Sequence, residues 1–200
     1  MNEIGILGGT FDPFHLGHLS IAKTALEEFD LDEIILLPAN VSPFKVGREM
    51  ADEADRIAML NLIAAENKQF TVSTVETDTD EVSYTYRTLG ILQKQMPDDK
   101  LWFIMGTDSF VSLEEWYKGE ELLREYAFIV APRPGSGIAD VEKTVNKYRK
   151  KYDASIRIVH NEMLDISSTE IKQAIDEGAS IECFVPKSIE RYIDEHGLYK

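Results

Sequence analysis

Cysteine is nearly absent. Cys183 stands alone among 200 residues, which excludes an internal disulfide and any multi-cysteine metal site. Long apolar runs are missing too: none approaches the roughly 18 residues of a membrane span. The opening MNEIGILGG lacks the basic start of a secretory leader and runs straight into a strand-like segment. These absences predict a cytoplasmic protein. Cations are also scarce, with 21 Lys and Arg against 36 Asp and Glu and a net charge of −15. That balance argues against nucleic-acid and membrane partners. A small anionic substrate remains compatible, provided its site gathers cations and backbone N–H groups locally or recruits a metal ion. Histidine is the last scarcity: there are four, and two of them sit three apart.

What is present reads as one ordinary globular domain spanning 1–200, at 44% hydrophobic content. Short apolar runs at 3–7, 33–38, 70–75, 101–105, 127–131 and 155–159 read as strands, several of them apolar throughout. Helical patterns lie between them. Residues 16–29 group Leu19, Ala22, Leu26 and Phe29, residues 53–66 group Ile57, Leu60 and Ala64, and residues 84–95 carry Leu89 and Leu92. Residues 139–151 read as a mostly polar, solvated helix. The alternation predicts an α/β fold with a doubly wound parallel sheet, and a C-terminal helical segment over about 167–200 packed on it. Ligands of such sheets bind beyond the carboxyl ends of the strands, near the switch in strand order.

The stretch GGTFDPFHLGHLSIA (8–22) follows the first strand and occupies that location. Its glycines permit a tight turn and close approach to a ligand. A helix starting near Leu16 would aim its first N–H groups at an anion. His15 and His18 fall on one face there, with Gly17 between them leaving room for a bulky group. A zinc pair is one alternative, but there is no HExxH and His160 and His196 are remote. A nicotinamide-cofactor fingerprint is another, but G-x-G-x-x-G is not matched. A plain glycine turn with incidental histidines is the third. Further on, Ser167-x-x-Glu170 forms a capping box, with Ile166 and Ile171 at the spacing of a hydrophobic staple. The same helix start offers N–H groups, the Ser168 and Thr169 hydroxyls and Lys172 to a phosphate.

GGTFDPFHLGH resembles the signature of the HxGH nucleotidyltransferases, and ISSTEIK (166–172) is similar to their second motif, with Lys172 in place of arginine. Within them the chain is closest to the bacterial nicotinate-nucleotide adenylyltransferases, and the resemblance extends to FVPKSIERYIDEHGLY (184–199), where Pro186 suits a helix's first turn. The resemblance implies a Rossmann-like nucleotidyltransferase fold and transfer of AMP from ATP to nicotinate mononucleotide, with release of pyrophosphate. It assigns His15, His18 and Lys172 to catalysis. It assigns Gly8, Gly9, Thr10, Phe11, Gly106, Asp108, Ser167, Ser168 and Thr169, with those three, to ATP binding. Asp108 reads equally well as the N-cap of a short helix.

On the acceptor side, SYTYRTL (83–89) and EEWYKGEELL (114–123) resemble the family's pyridine-nucleotide pocket, implying Thr85, Trp116 and Tyr117. A flat pyridine ring needs an aromatic face to stack on; core packing or a lid is the alternative for Trp116. Lys45 matches a family lysine suited to the acceptor phosphate, although Phe44 stands where the family has histidine. Arg133 either reaches phosphate or covers the sheet edge. Mg²⁺ is expected to arrive with ATP, and a homo-oligomer is compatible with the sequence. Since the attacking phosphate is already anionic, no general base is needed. Catalysis then rests on positioning and on hydrogen bonds from the two histidines, which could donate in either charge state. Competing functions are a phosphopantetheine or cytidylyl transferase, a catalytically weak nucleotide-binding regulator, and a metal-dependent hydrolase.

Overall fold

A computed structural model describes residues 1–39, 50–77, 83–132, 138–160, 164 and 166–200. The first half runs β1 (Glu3–Gly9), α1 (Leu16–Glu28), β2 (Glu33–Pro38), α2 (Glu53–Glu66), β3 (Phe70–Val72) and α3 (Thr85–Gln95). The second half begins with β4 (Lys100–Gly106), α4 (Thr107–Val111), a 3-10 turn (Leu113–Glu115) and α5 (Gly119–Glu125). It closes with β5 (Ala127–Ala131), α6 (Ile138–Tyr152), β6 (Ser155–Ile158), α7 (Ser168–Asp176) and α8 (Lys187–His196). The six strands form one sheet in the order β3-β2-β1-β4-β5-β6, with every neighbouring pair parallel. This is the doubly wound arrangement expected from the alternation of strands and helices.

The apolar strands are explained by burial on both faces. Along β4, Trp102 and Ile104 join the core that α1, α2, α7 and α8 cover through Ala22, Leu60, Ile171 and Ile189. Leu101, Phe103 and Met105 point the other way, into the core under α3, α5 and α6 with Leu89, Leu122 and Val145. A period of two with both faces covered leaves no polar position. α7 and α8 belong to the same core as β1 and β2. Among the described residues no helix is long and apolar enough to cross a membrane.

Four details differ from the sequence reading. α6 is not a solvated helix, because Val141, Val145, Tyr148 and Tyr152 are buried along one stripe. In α2 the buried set is Arg56, Met59, Leu60 and Ile63, one step round from the face centred on Ile57 and Ala64. The third strand ends at Val72, three residues before the apolar run does. Pro186 is the N-cap of α8 rather than a residue of its first turn.

Candidate active site

β1 and β4 are adjacent, and beyond their carboxyl ends the chain winds off in opposite directions. That is where a doubly wound sheet opens a crevice. The turn after β1 is built tightly. A Cβ on Gly8 would come within 3.2 Å of the Phe103 ring, and one on Gly9 within 3.1 Å of the Phe11 ring. Phe11 itself has φ 50, a conformation a bulky side chain rarely adopts. Burial against Phe14 (5.6 Å between centroids) and His18 (5.0 Å) holds it there.

His15 is the N-cap of α1, and His18 is its third residue. Each ring accepts from the other's backbone: His18 N–H donates to His15 Nδ1 and His15 N–H donates to His18 Nδ1, both at 3.3 Å. The rings stack at 3.6 Å and 21°. This reciprocal cap has a chemical consequence. With Nδ1 accepting on both rings, the proton of each neutral imidazole sits on Nε2.

The room beside Gly17 belongs to His15 rather than to a ligand: a Cβ there would lie 3.0 Å from His15 Nδ1. Nor is the helix start an open anion site. Leu16 N–H donates to the Phe184 carbonyl at 2.8 Å, and His18 N–H is taken by His15.

α7 brings the second motif alongside. Ser167 caps it through the expected box: Ser167 Oγ accepts from Glu170 N–H at 3.2 Å, and the Glu170 carboxylate accepts from Ser167 N–H at 3.0 Å. The Ser167 hydroxyl, which donates to the Glu170 carboxylate at 2.7 Å, and then the Ser167 N–H hold that carboxyl below its ordinary range. Ser168 Oγ donates to the Pro13 carbonyl at 3.2 Å, tying the two motifs together, and Thr169 is exposed. Lys172 pairs with Asp12. The Asp12 carboxylate is buried and also accepts from Tyr199 Oη at 2.8 Å and Ala51 N–H at 3.0 Å. Burial, then the neighbouring Asp12, pushes the Tyr199 hydroxyl well above its usual range. Beneath the turn, buried Arg56 donates to the Thr10 carbonyl at 2.9 Å and the Ala39 carbonyl at 2.8 Å, clamping the ends of β1 and β2.

A cavity of about 360 Å³ opens from this turn, within the ~300–1,000 Å³ usual for small-molecule sites. Gly8, Gly9 and Thr10 line one part of it, and Thr85, Trp116 and Tyr117 another. Trp116 also packs on the second core, so it lines the cavity and supports the core at once. The loop that carries it is fixed from behind. Lys147, Tyr152 and Lys151 hydrogen-bond Glu114 and hold its carboxyl down at about 2. Gly119 closes the loop where any Cβ would overlap the Leu113 carbonyl oxygen. Asp108 is exposed in the first turn of α4, whose N-cap is Gly106 and not Asp108. A Cβ on Gly106 would meet nothing within 4 Å. Lys45 and Arg133, with Phe44, lie outside the described residues.

Three residues escaped the sequence reading. Asp12 stood inside the quoted motif as its one acid and carried a signal that went unused. Arg56, a lone cation within an apolar helix pattern, was a fainter one. Glu76 had none. It lines the cavity, with its Oε1 2.6 Å from Thr88 Oγ1, and burial raises its carboxyl above the ordinary range. Among the described residues no group of three or more His, Cys, Asp or Glu is placed to hold a metal ion.

The geometry has counterparts in known proteins. The cytidylyltransferase-like family model matches residues 6–174. A Neisseria meningitidis serogroup B relative named "Probable nicotinate-nucleotide adenylyltransferase" is 38% identical, covering 100% of both chains. A Synechococcus relative of the same name is 40% identical over 98% of this chain and 94% of its own. Among solved structures, Plasmodium falciparum nicotinic acid mononucleotide adenylyltransferase complexed with NaAD superposes with a TM-score of 0.83. It covers 100% of this chain and 98% of that one at 21% identity, which speaks for the fold. With a match of this length and relatives of this identity, the chain belongs to the cytidylyltransferase-like family, among its nicotinate-nucleotide adenylyltransferases.

Proposed function

We propose that the protein is a cytoplasmic enzyme that transfers AMP from ATP to nicotinate mononucleotide, giving nicotinate adenine dinucleotide and pyrophosphate. The observation that carries this reading is the continuity of one cavity. Gly8, Gly9 and Thr10, just ahead of the histidine pair, line the same space as Thr85, Trp116 and Tyr117. A donor phosphate and a flat acceptor can therefore meet there.

The acceptor's phosphate oxygen attacks the α-phosphorus of ATP in line, and the bond to the β-phosphate oxygen breaks. Negative charge builds on the α-phosphate and leaving oxygens, and hydrogen bonds aimed at those oxygens lower the barrier. The imidazole Nε2–H groups of His15 and His18 are the donors, held in one tautomer by their cap. The start of α7 takes the departing pyrophosphate through Ser168 and Thr169, with Lys172 supplying the cation. Lys172 must then divide its charge between Asp12 and the nucleotide. Gly106 and Asp108 border the nucleoside, while Lys45 and Arg133 serve the acceptor phosphate. Mg²⁺ enters on the triphosphate, and no step is assigned to it.

The test supplies ATP and Mg²⁺ with nicotinate mononucleotide, nicotinamide mononucleotide or phosphopantetheine in separate reactions, following pyrophosphate release and product mass. Product with the nicotinate compound in clear preference is the expected result. Product with phosphopantetheine alone would overturn the acceptor, and no product with any of them would return the protein to a regulatory role.

A further inference from the structure

The turn after α8 reaches back into the site. Gly197 ends the helix at φ 60, and Leu198 N–H donates to the Ile193 carbonyl at 3.0 Å. Tyr199 follows at φ 62, in the left-handed region that a bulky side chain rarely takes. Its side chain touches both members of one ion pair. The hydroxyl donates to Asp12 Oδ1 at 2.8 Å, and the ring centroid lies 5.0 Å from the Lys172 ammonium. Asp12 is 4% exposed and gives its other oxygen, Oδ2, to Lys172, while Ala51 N–H donates to Oδ1 at 3.0 Å. A backbone conformation of this kind persists where its surroundings hold it. The groups that meet this side chain are the acid of the first motif and the cation of the second.

We propose that Tyr199 is a positioning residue for AMP transfer: its hydroxyl on Asp12 and its ring beside Lys172 fix where the ammonium stands and how strongly Asp12 claims it. The inference rests on the reading of Lys172 as the cation for the departing pyrophosphate. Lysine is a point charge on a flexible stem, so its direction comes from its neighbours. A carboxylate on one side and an aromatic face on the other narrow the places the ammonium can occupy. The hydroxyl has a second effect. A carboxylate that also accepts from a hydroxyl and an amide has part of its charge stabilised without the cation. Lys172 is then freer to turn toward the negative charge that develops on the leaving group. Without the hydroxyl, one donor fewer shares the buried charge of Asp12, and the pull on Lys172 rises. Burial and the neighbouring Asp12 keep the proton on Tyr199, which keeps it a donor.

The experiment is a double-mutant cycle of Tyr199→Phe and Lys172→Met. It reads kcat/KM for ATP at saturating nicotinate mononucleotide with Mg²⁺, well below every unfolding midpoint. Tyr199→Phe keeps the ring and loses the hydroxyl. It should lower kcat/KM for ATP roughly fivefold, the kinetic equivalent of one hydrogen bond, and leave the acceptor KM unchanged. Lys172→Met should cost more, and adding Tyr199→Phe to it should cost nothing further, because no ammonium is left to place. A hydroxyl that only supports the fold would cost the same in both backgrounds, and that result overturns the inference. So does a wild-type kcat/KM for ATP in Tyr199→Phe. Should Lys172→Met fail to fold, Tyr199→Phe decides by itself: a loss confined to ATP supports the inference, and an equal rise in the acceptor KM overturns it. Wild-type kinetics in Lys172→Met, or no AMP transfer in the wild type, would instead fail the reading of Lys172 and take the inference with it.

Discussion

At the turn after β1, the polar side chains hold one another. The two histidines cap each other, Ser168 holds Pro13, and Asp12 gathers Lys172, Tyr199 and Ala51. Across the cavity the aromatic wall is looser, with Tyr117 43% exposed. The contrast follows from the ligands. Phosphate needs fixed donors whose orientation is set before it arrives, because preorganised groups need no rearrangement as charge develops. A pyridine ring needs an aromatic face to stack on and a polar edge to meet.

If this division is real, substitutions at the two ends should fail in different ways. The largest effect is expected from His18→Ala. It should lower kcat on the order of 10²–10³, as loss of one oxyanion donor does. The broken capping box should cost about 1 kcal/mol of stability, seen as a lower unfolding midpoint. Wild-type turnover in that variant would take the histidine out of the chemistry. Next comes Gly119→Ala, whose methyl overlaps the Leu113 carbonyl and the Glu114 backbone and is expected to shift the loop that carries Trp116 and Tyr117. The acceptor KM should rise on the order of tenfold with the ATP KM unchanged. A matching rise in both would mean that the two ends do not act separately.

A smaller change is expected from Tyr199→Phe, which removes one hydrogen bond to buried Asp12. A loss of about 1 kcal/mol should lower the unfolding midpoint by roughly 2–4 °C, and an unchanged midpoint would show the hydroxyl idle. The smallest effect concerns Glu114 behind the aromatic wall. Its carboxyl is held below the unfolded value, so its contribution is complete above the ordinary 4.5 and is lost as pH falls toward about 2. The midpoint difference between wild type and Glu114→Gln should shrink over that window. A pH-independent difference would assign the effect to packing.

How much of this was legible in the sequence depended on distance along the chain. His15 and His18 could be grouped because residues three apart at a helix start share a face, and Ser167 with Glu170 because a capping box is local. The sheet could be read because strands covered on both faces carry nothing polar. The clamps beneath the site could not. Asp12 and Tyr199 are 187 positions apart, and no periodicity links them. Arg56 looked like an ordinary polar helix residue until its two carbonyl partners, from separate strand ends, were in place. Glu76 needed the fold to bring it beside Thr88. The stripe of Val141, Val145, Tyr148 and Tyr152 had helical spacing all along, hidden among the charges of α6.

The partnership of Asp12 with Tyr199 also sets an order of events at the ribosome. β1 and the histidine helix leave the tunnel before α8 does, yet the carboxyl between them has no hydroxyl to meet until residue 199 has been made. The Leu16 amide waits in the same way for the Phe184 carbonyl. The histidine pair is therefore made well before the segment that locks its turn. A ribosome that stalls before that point holds a polypeptide with its sheet begun and its nucleotide turn still loose.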